Sequence, residues 1–187
     1  MNIYLIRHSE VSLSSEYCYG RLDVPLADNF TQRADSILAR LPVLEAVWSS
    51  PASRCAALAA RLVSTPPRVL NELAELDFGL WEGKKWSEIQ SEELNSWMQD
   101  YVHAAPPSGE SFFSLQERSL KALKHIEQEA LKDQHTHIGV VTHAGVIRAL
   151  LADCLQIPLA HAFQLEVQSG AVCHIQQKYG SFKLVLS

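Results

Sequence analysis

No apolar stretch of the chain approaches the roughly 20 residues that span a bilayer. Its start, Met1-Asn2-Ile3-Tyr4, lacks the basic segment, apolar run and small-residue cleavage site of an export signal. A membrane association and export are therefore not expected, and the working chain is expected to begin at or near Met1. Basic charge is in short supply: 16 Lys and Arg stand against 21 Asp and Glu, a formal net charge of -5. Nucleic-acid binders usually carry a basic face, so no nucleic-acid partner is expected and any anion site must be a local cluster of positive groups. Cysteine is sparse and scattered. Cys18, Cys55, Cys154 and Cys173 form no Cys-x-x-Cys pair, and a chain of this size folds without staples. Free thiols in a reducing cytoplasm are the expectation. Internal repeats, low-complexity tracts and interdomain linkers are missing as well, and Ala104 to Gly109 reads as a loop within the fold.

What is present is enough for one core: 187 residues, 47% of them hydrophobic, predict a single domain over 1–187. Short apolar runs rich in β-formers, Ile3 to Ile6, Ala46 to Trp48 and Ile138 to Val141, read as buried strands. They end in Arg7-His8, Ser49-Ser50-Pro51 and Thr142-His143-Ala144-Gly145. Helical spacing follows over Thr31 to Leu41, Ala52 to Val63, Phe112 to Leu131 and Val146 to Leu155. Phe163 to Val167, Ala171 to Gln176 and Phe182 to Val185 alternate and are broken by Ser169-Gly170 and Tyr179-Gly180, which predicts strands joined by turns. Strands alternating with helices predict an α/β, three-layer fold: a mostly parallel central sheet flanked by helices, with a helical segment over the active-site rim. Ligands in such folds sit beyond the carboxyl ends of the strands, so Arg7-His8, Ser49 to Arg54 and His143 can share one rim.

Four segments carry the chemistry: Leu5-Ile6-Arg7-His8-Ser9-Glu10, Ser49-Ser50-Pro51-Ala52-Ser53-Arg54, Glu75-Leu76-Asp77-Phe78-Gly79-Leu80-Trp81-Glu82-Gly83 and Val141-Thr142-His143-Ala144-Gly145-Val146-Ile147-Arg148. Together, and in this order, they resemble the histidine phosphatase superfamily, also called the phosphoglycerate-mutase-like family, over nearly the whole chain. The resemblance implies a phosphomonoesterase that works through a phosphohistidine on His8, with no cofactor, no metal and a small-molecule phosphate ester as its partner.

The chemistry explains why these residue types converge. Neutral imidazole is a good nucleophile near pH 7, so His8 can take a phosphoryl group and release it to water. Arg7 and Arg54 offer permanently charged planar forks for the phosphate oxygens, and His143 adds a donor if protonated. The leaving alkoxide needs a proton from a carboxylic acid. Glu72, Glu75 and Asp77 all compete for that role on spacing alone; the resemblance selects Glu75, three residues before the Phe78-Gly79 pair. It further implies that Ser14, Gly20 and Ala144 touch the substrate. His135, His137 and His143 do not suggest a metal site, because no Asp or Cys cluster accompanies them.

The chain departs from the family pattern at Ser9, where Gly is usual, at Val11, where Thr is frequent, and at Ser14, where Asn is common. Its length, Cys18 to Leu26 and Pro106-Pro107-Ser108-Gly109-Glu110-Ser111 look most like the alpha-ribazole phosphatase branch. That implies hydrolysis of alpha-ribazole 5'-phosphate in cobalamin biosynthesis, with Trp86 or Trp97 stacking on the flat base. A broad-specificity phosphatase, a phosphoglycerate-mutase-like enzyme and, in another class, a non-catalytic phosphate-ester-binding module are the alternatives. The oligomeric state stays open, a homodimer among the options.

Overall fold

The computed structural model describes residues 1–178 and 181–186. Six strands form one sheet: β1 (Asn2–Arg7), β2 (Ala46–Ser49), β3 (Arg68–Val69), β4 (His137–Thr142), β5 (Val172–Lys178) and β6 (Ser181–Val185). Their order is β3-β2-β4-β1-β5-β6. The first four pair in parallel, and β5 and β6 run antiparallel at one edge, so the sheet is mixed. The helices are α1 (Phe30–Leu38), α2 (Ser53–Leu62), α3 (Ser91–Gln99), α4 (Phe112–Lys132) and α5 (Ala144–Cys154).

Alternation along the strands builds the three layers, because successive side chains point to opposite faces. Ile3 and Leu5 of β1, Ala46 and Trp48 of β2, and Ile138 and Val140 of β4 join the core under α4 and α5. Ile6, Val47 and Val141 join the core under α1 and α2. Complete burial of an Ile or Leu contributes about 1.5–3 kcal/mol, so a register slip that reversed the faces would be strongly disfavoured.

Four predicted helices appear within a few residues of their expected bounds. The long α4 is preceded by Ser111, whose Oγ accepts the Ser114 N–H at 3.2 Å, an N-cap that gives the Ser of Gly109-Glu110-Ser111 its role. The segment between Gly79 and Gln99 is helical in pieces: single 3₁₀ turns at Gly79–Trp81 and Trp86–Glu88, then α3. Gly79 sits at φ +53°, and a Cβ there would stand 2.1 Å from the Pro107 carbonyl oxygen, so no larger residue lets these two loops touch.

One expected strand is absent. Leu159–Gln164 is a 3₁₀ helix, and Phe163 to Val167 joins no ladder. Arginine side chains take its carbonyls instead: Arg148 Nε donates to Leu165 O at 2.9 Å, and Arg7 Nη1 to Val167 O at 2.6 Å. Phe163 packs its ring on Tyr101 and Phe112. Of the two expected turns, Ser169-Gly170 is present with Gly170 at φ +72°, and Tyr179-Gly180 lies outside the described residues. No described helix is long and apolar enough to cross a membrane.

Candidate active site

Register brings the strand ends together. Arg7 pairs with Thr142, and Ser49 with Val141. The ladder continues one residue further, with His8 N–H donating to Thr142 O at 3.0 Å and Ser50 N–H to Val141 O at 2.9 Å. His8, Ser50 and His143 thus leave the sheet on a backbone that is still hydrogen-bonded. All three are buried, as is Arg54 in the first turn of α2.

The ring partners assign the tautomers. His8 Nδ1 donates to the Ser9 carbonyl at 2.7 Å, which leaves the Nε2 lone pair free for attack. Arg54 Nη2, which can only donate, meets His143 Nδ1 at 3.3 Å. The His143 proton therefore sits on Nε2 and is donated to Ser50 Oγ at 2.7 Å. The two imidazoles meet edge to face, 5.2 Å between centroids.

Burial is the main cause that lowers His8 to about 3; the Ser9 hydrogen bond, next in size, pulls upward, and the charges of Arg54 and Arg7 add to the lowering. Burial also pushes His143 well below its ordinary value, with His8, Arg54, Arg7 and Arg118 adding to the effect. Both rings are neutral at pH 7. In the free enzyme the His143 N–H is therefore a neutral donor, and the fixed positive charge comes from the arginines.

Those arginines keep donors in reserve. Arg54 donates to Gly20 O at 2.6 Å and Leu22 O at 2.9 Å, yet its Nε has no partner among the described residues. The same holds for Arg7 Nε and Ser9 Oγ. A buried unpaired donor costs about 1–3 kcal/mol, and an anion seated against Arg7 and Arg54, whose charges both act on His8, would offer theirs a partner.

Glu75 shares a cavity with His143. A cavity of about 230 Å³ is lined by Glu75 and His143 together with Gly20, Arg21, Asp23 and Ser50 among others. The carboxylate accepts Leu76 N–H at 3.0 Å and Gly145 N–H, in the first turn of α5, at 3.1 Å. A Cβ on residue 145 would come within 2.3 Å of Glu75 Oε1, so Gly145 is what lets helix and carboxylate meet. Of the competing acids, Glu72 is exposed, and Asp77 accepts the Gly79 N–H and pairs with Arg21 at 3.2 Å.

The remaining sequence candidates divide. Gly20 lines the cavity. Ala144 is buried and opens α5. Ser14 is exposed, its Oγ accepts the Glu16 N–H at 3.2 Å, and it does not line the cavity. Trp86 and Trp97 line a different, apolar cavity of about 450 Å³ with Leu94, Met98, Tyr101 and Phe163. Sequence reasoning missed Ser50, although it lay within a quoted motif, and missed Arg118, which carried no signal among the charges of a long amphipathic helix. Cys55 Sγ lies 3.5 Å from His143 Nε2, but burial pushes this thiol up to about 12, which keeps it an uncharged contact. Among the described residues, no group of three or more His, Cys, Asp or Glu side chains is arranged to hold a metal ion.

A neutral nucleophile sets the pH dependence. Because His8 loses its proton near 3, the acid limb of kcat/KM, which reports the free reactants, is expected to follow the substrate's second phosphate ionisation, near pH 6 for alkyl esters. Rates measured with two esters of different phosphate pKa should show the limb moving with the ester. A limb fixed near 6.5 for both would mean that His8 titrates at its ordinary value.

A family model described as histidine phosphatase superfamily (branch 1) matches residues 3–187. The chain belongs to the histidine phosphatase superfamily. This histidine phosphatase is 27% identical to the adenosylcobalamin/alpha-ribazole phosphatase of Escherichia coli strain K12, over 100% of its own length and 96% of the relative's. It is 31% identical to the metal-independent phosphoserine phosphatase of Arabidopsis thaliana, over 79% and 66% respectively. Its fold matches the crystal structure of the alpha-ribazole phosphatase from Shigella flexneri with a TM-score of 0.88 at 24% identity, covering 100% and 95% of the two chains.

Proposed function

We propose that the chain, as one histidine phosphatase domain, hydrolyses a phosphate monoester in two steps, and that alpha-ribazole 5'-phosphate is its substrate. The phosphate seats against Arg7 and Arg54, whose unpaired Nε donors it satisfies. His8 Nε2 attacks phosphorus, the ester P–O bond breaks, and Glu75 gives its proton to the departing oxygen. Water then attacks the phosphohistidine while Glu75 takes a proton from it, the P–N bond breaks, and inorganic phosphate leaves. Charge on the equatorial oxygens is met by donors already in place. No step calls on a metal.

The observation that carries the reaction is a neutral His8 with a free Nε2, acted on by the charges of Arg7 and Arg54, each of which keeps an unpaired buried donor. The substrate rests on the full-length similarity to the Escherichia coli enzyme. A cytoplasmic location fits four unpaired cysteines. A second reading, a phosphatase of broader specificity, draws support from the phosphoserine phosphatase similarity and from a cavity whose lining includes no tryptophan.

Purified protein assayed with chelator against a panel of phosphate esters tests both. Turnover of alpha-ribazole 5'-phosphate with a kcat/KM at least about tenfold above phosphoserine and simple aryl phosphates is the expected outcome. Similar values across the panel would favour the broader enzyme, and silence on every ester would favour a binding module.

A further inference from the structure

The segment that carries Glu75 has almost no backbone ladder of its own. It runs from a single 3₁₀ turn, Asn71–Leu73, into extended chain. Its carbonyls are nonetheless occupied one after another by side chains. Arg118 Nη1 donates to Glu72 O and to Ala74 O, both at 2.7 Å, and Arg118 Nη2 donates to Glu75 O at 3.0 Å. The intervening Leu73 O accepts Thr142 Oγ1 at 2.7 Å, from the residue preceding His143. Four consecutive carbonyls are thus held by side chains, three of them by one guanidinium, and Arg21 Nε also reaches Glu75 O at 3.5 Å.

Arg118 is itself fixed. Its Nε and Nη2 form a two-pronged contact with Glu110, at 3.0 and 2.5 Å, and both side chains are 16% exposed. Glu110 Oε1 also accepts the Asp77 N–H at 3.1 Å and meets Arg21 at 3.1 Å. The carboxylate thereby ties the far side of the Glu75 segment to the same guanidinium. Burial, the largest single influence, would raise the Glu110 carboxyl, but the Arg118 contacts, the Asp77 N–H and the Arg21 charge together outweigh it and hold the group below the usual range. Planar bidentate pairs of this kind lose little freedom per bond formed, and lysine cannot reproduce them.

Neither Arg118 nor Glu110 lines the cavity, so Arg118 reaches the Glu75 carboxyl through the backbone it holds, apart from the charge it adds near His143. We propose that Arg118, anchored by Glu110, is the positioning residue that holds the Glu75 carboxyl at the leaving oxygen of the phosphate ester. The proposal rests on Glu75 as the proton donor. A misplacement of about 1 Å in a reacting group can cost about a hundredfold, and the loss falls only where a proton must be delivered.

The test compares an alkyl phosphate with an ester of an acidic phenol, whose leaving group departs without a proton. Arg118→Gln is expected to lower kcat/KM for the alkyl ester by about ten- to a hundredfold and for the aryl ester by less than about twofold. Arg118→Lys should recover part of the loss. Glu110→Gln, nearly isosteric and keeping Arg118 in the chain, should give the same pattern and serves if Arg118→Gln does not fold. In the Glu75→Gln background, Arg118→Gln should cost nothing further on the alkyl ester, the non-additivity expected of two residues acting through one group. Equal losses on both esters, or losses that multiply in the double variant, overturn the proposal while leaving Glu75 as the acid. If Glu75→Gln alone shows no dependence on the leaving group, the acid assignment falls and the proposal with it.

Discussion

Replacing His8 by alanine is expected to lower turnover of every phosphate ester by about 10⁴-fold or more, or about 5 kcal/mol of barrier, while leaving the fold intact. The side chain lost is buried, but its neutral ring makes one hydrogen bond, to the adjacent Ser9 carbonyl, and Arg7 and Arg54 keep their own carbonyl partners. The ring lost is uncharged at neutral pH, so no ion pair goes with it and the variant should melt close to the parent. Phosphate should still bind through the arginine donors. The chemical signature is more decisive than the rate. Rapid quenching of the parent during turnover should trap labelled phosphate in an acid-labile, base-stable form on residue 8, as a phosphoramidate requires, and His8→Ala should trap none. Label that survives acid, or that maps to the buried neighbour Ser9, would assign the nucleophile elsewhere.

What could be read before any coordinates was the part of the fold governed by period. Strands β1, β2 and β4 announce themselves by apolar runs and by the polar residues that end them; the structure then sends Leu5 and Val140 to one core and Ile6 and Val141 to the other. Phe163 to Val167 has the same alternation and is no strand, because Arg7 and Arg148 claim the carbonyls that a ladder would have used. Side chains from distant positions decided that segment, and period cannot report them. The same limit applied to the site. Arg7, His8, Arg54 and His143 lie on or just beyond regular elements, whereas the choice among Glu72, Glu75 and Asp77 depends on an irregular segment shaped by Arg118, 43 residues away in the chain. Spacing left that choice open, and the resemblance made it. In the structure, Glu75 is the one of the three whose residue lines the cavity beside His143.

Glu75→Gln follows from that placement, and its effect should depend on the ester. The amide keeps the length of the side chain and, through its oxygen, an acceptor for Gly145 N–H or Leu76 N–H, so the segment and the start of α5 should hold their positions. What is lost is the proton delivered to the departing oxygen. An alkoxide of an ordinary alcohol is a poor leaving group without that proton, and general acid catalysis contributes about 10²–10⁴-fold; kcat/KM for an alkyl phosphate is therefore expected to fall by about that factor. A phenolate that is stable at neutral pH needs no such help, so the same variant should phosphorylate His8 from the aryl ester at nearly the parental rate. The second step then exposes the other half of the role. With no carboxylate to take a proton from the attacking water, the phosphohistidine should accumulate, giving a burst of phenol equal to the enzyme concentration followed by slow turnover. Glu72→Gln, an exposed change whose carbonyl stays with Arg118, should leave both esters within about twofold of the parent. A Glu75→Gln enzyme that loses equally on both esters and shows no burst would mean that the proton comes from elsewhere, with Asp77, already engaged by Arg21 and the Gly79 amide, the next carboxyl to examine.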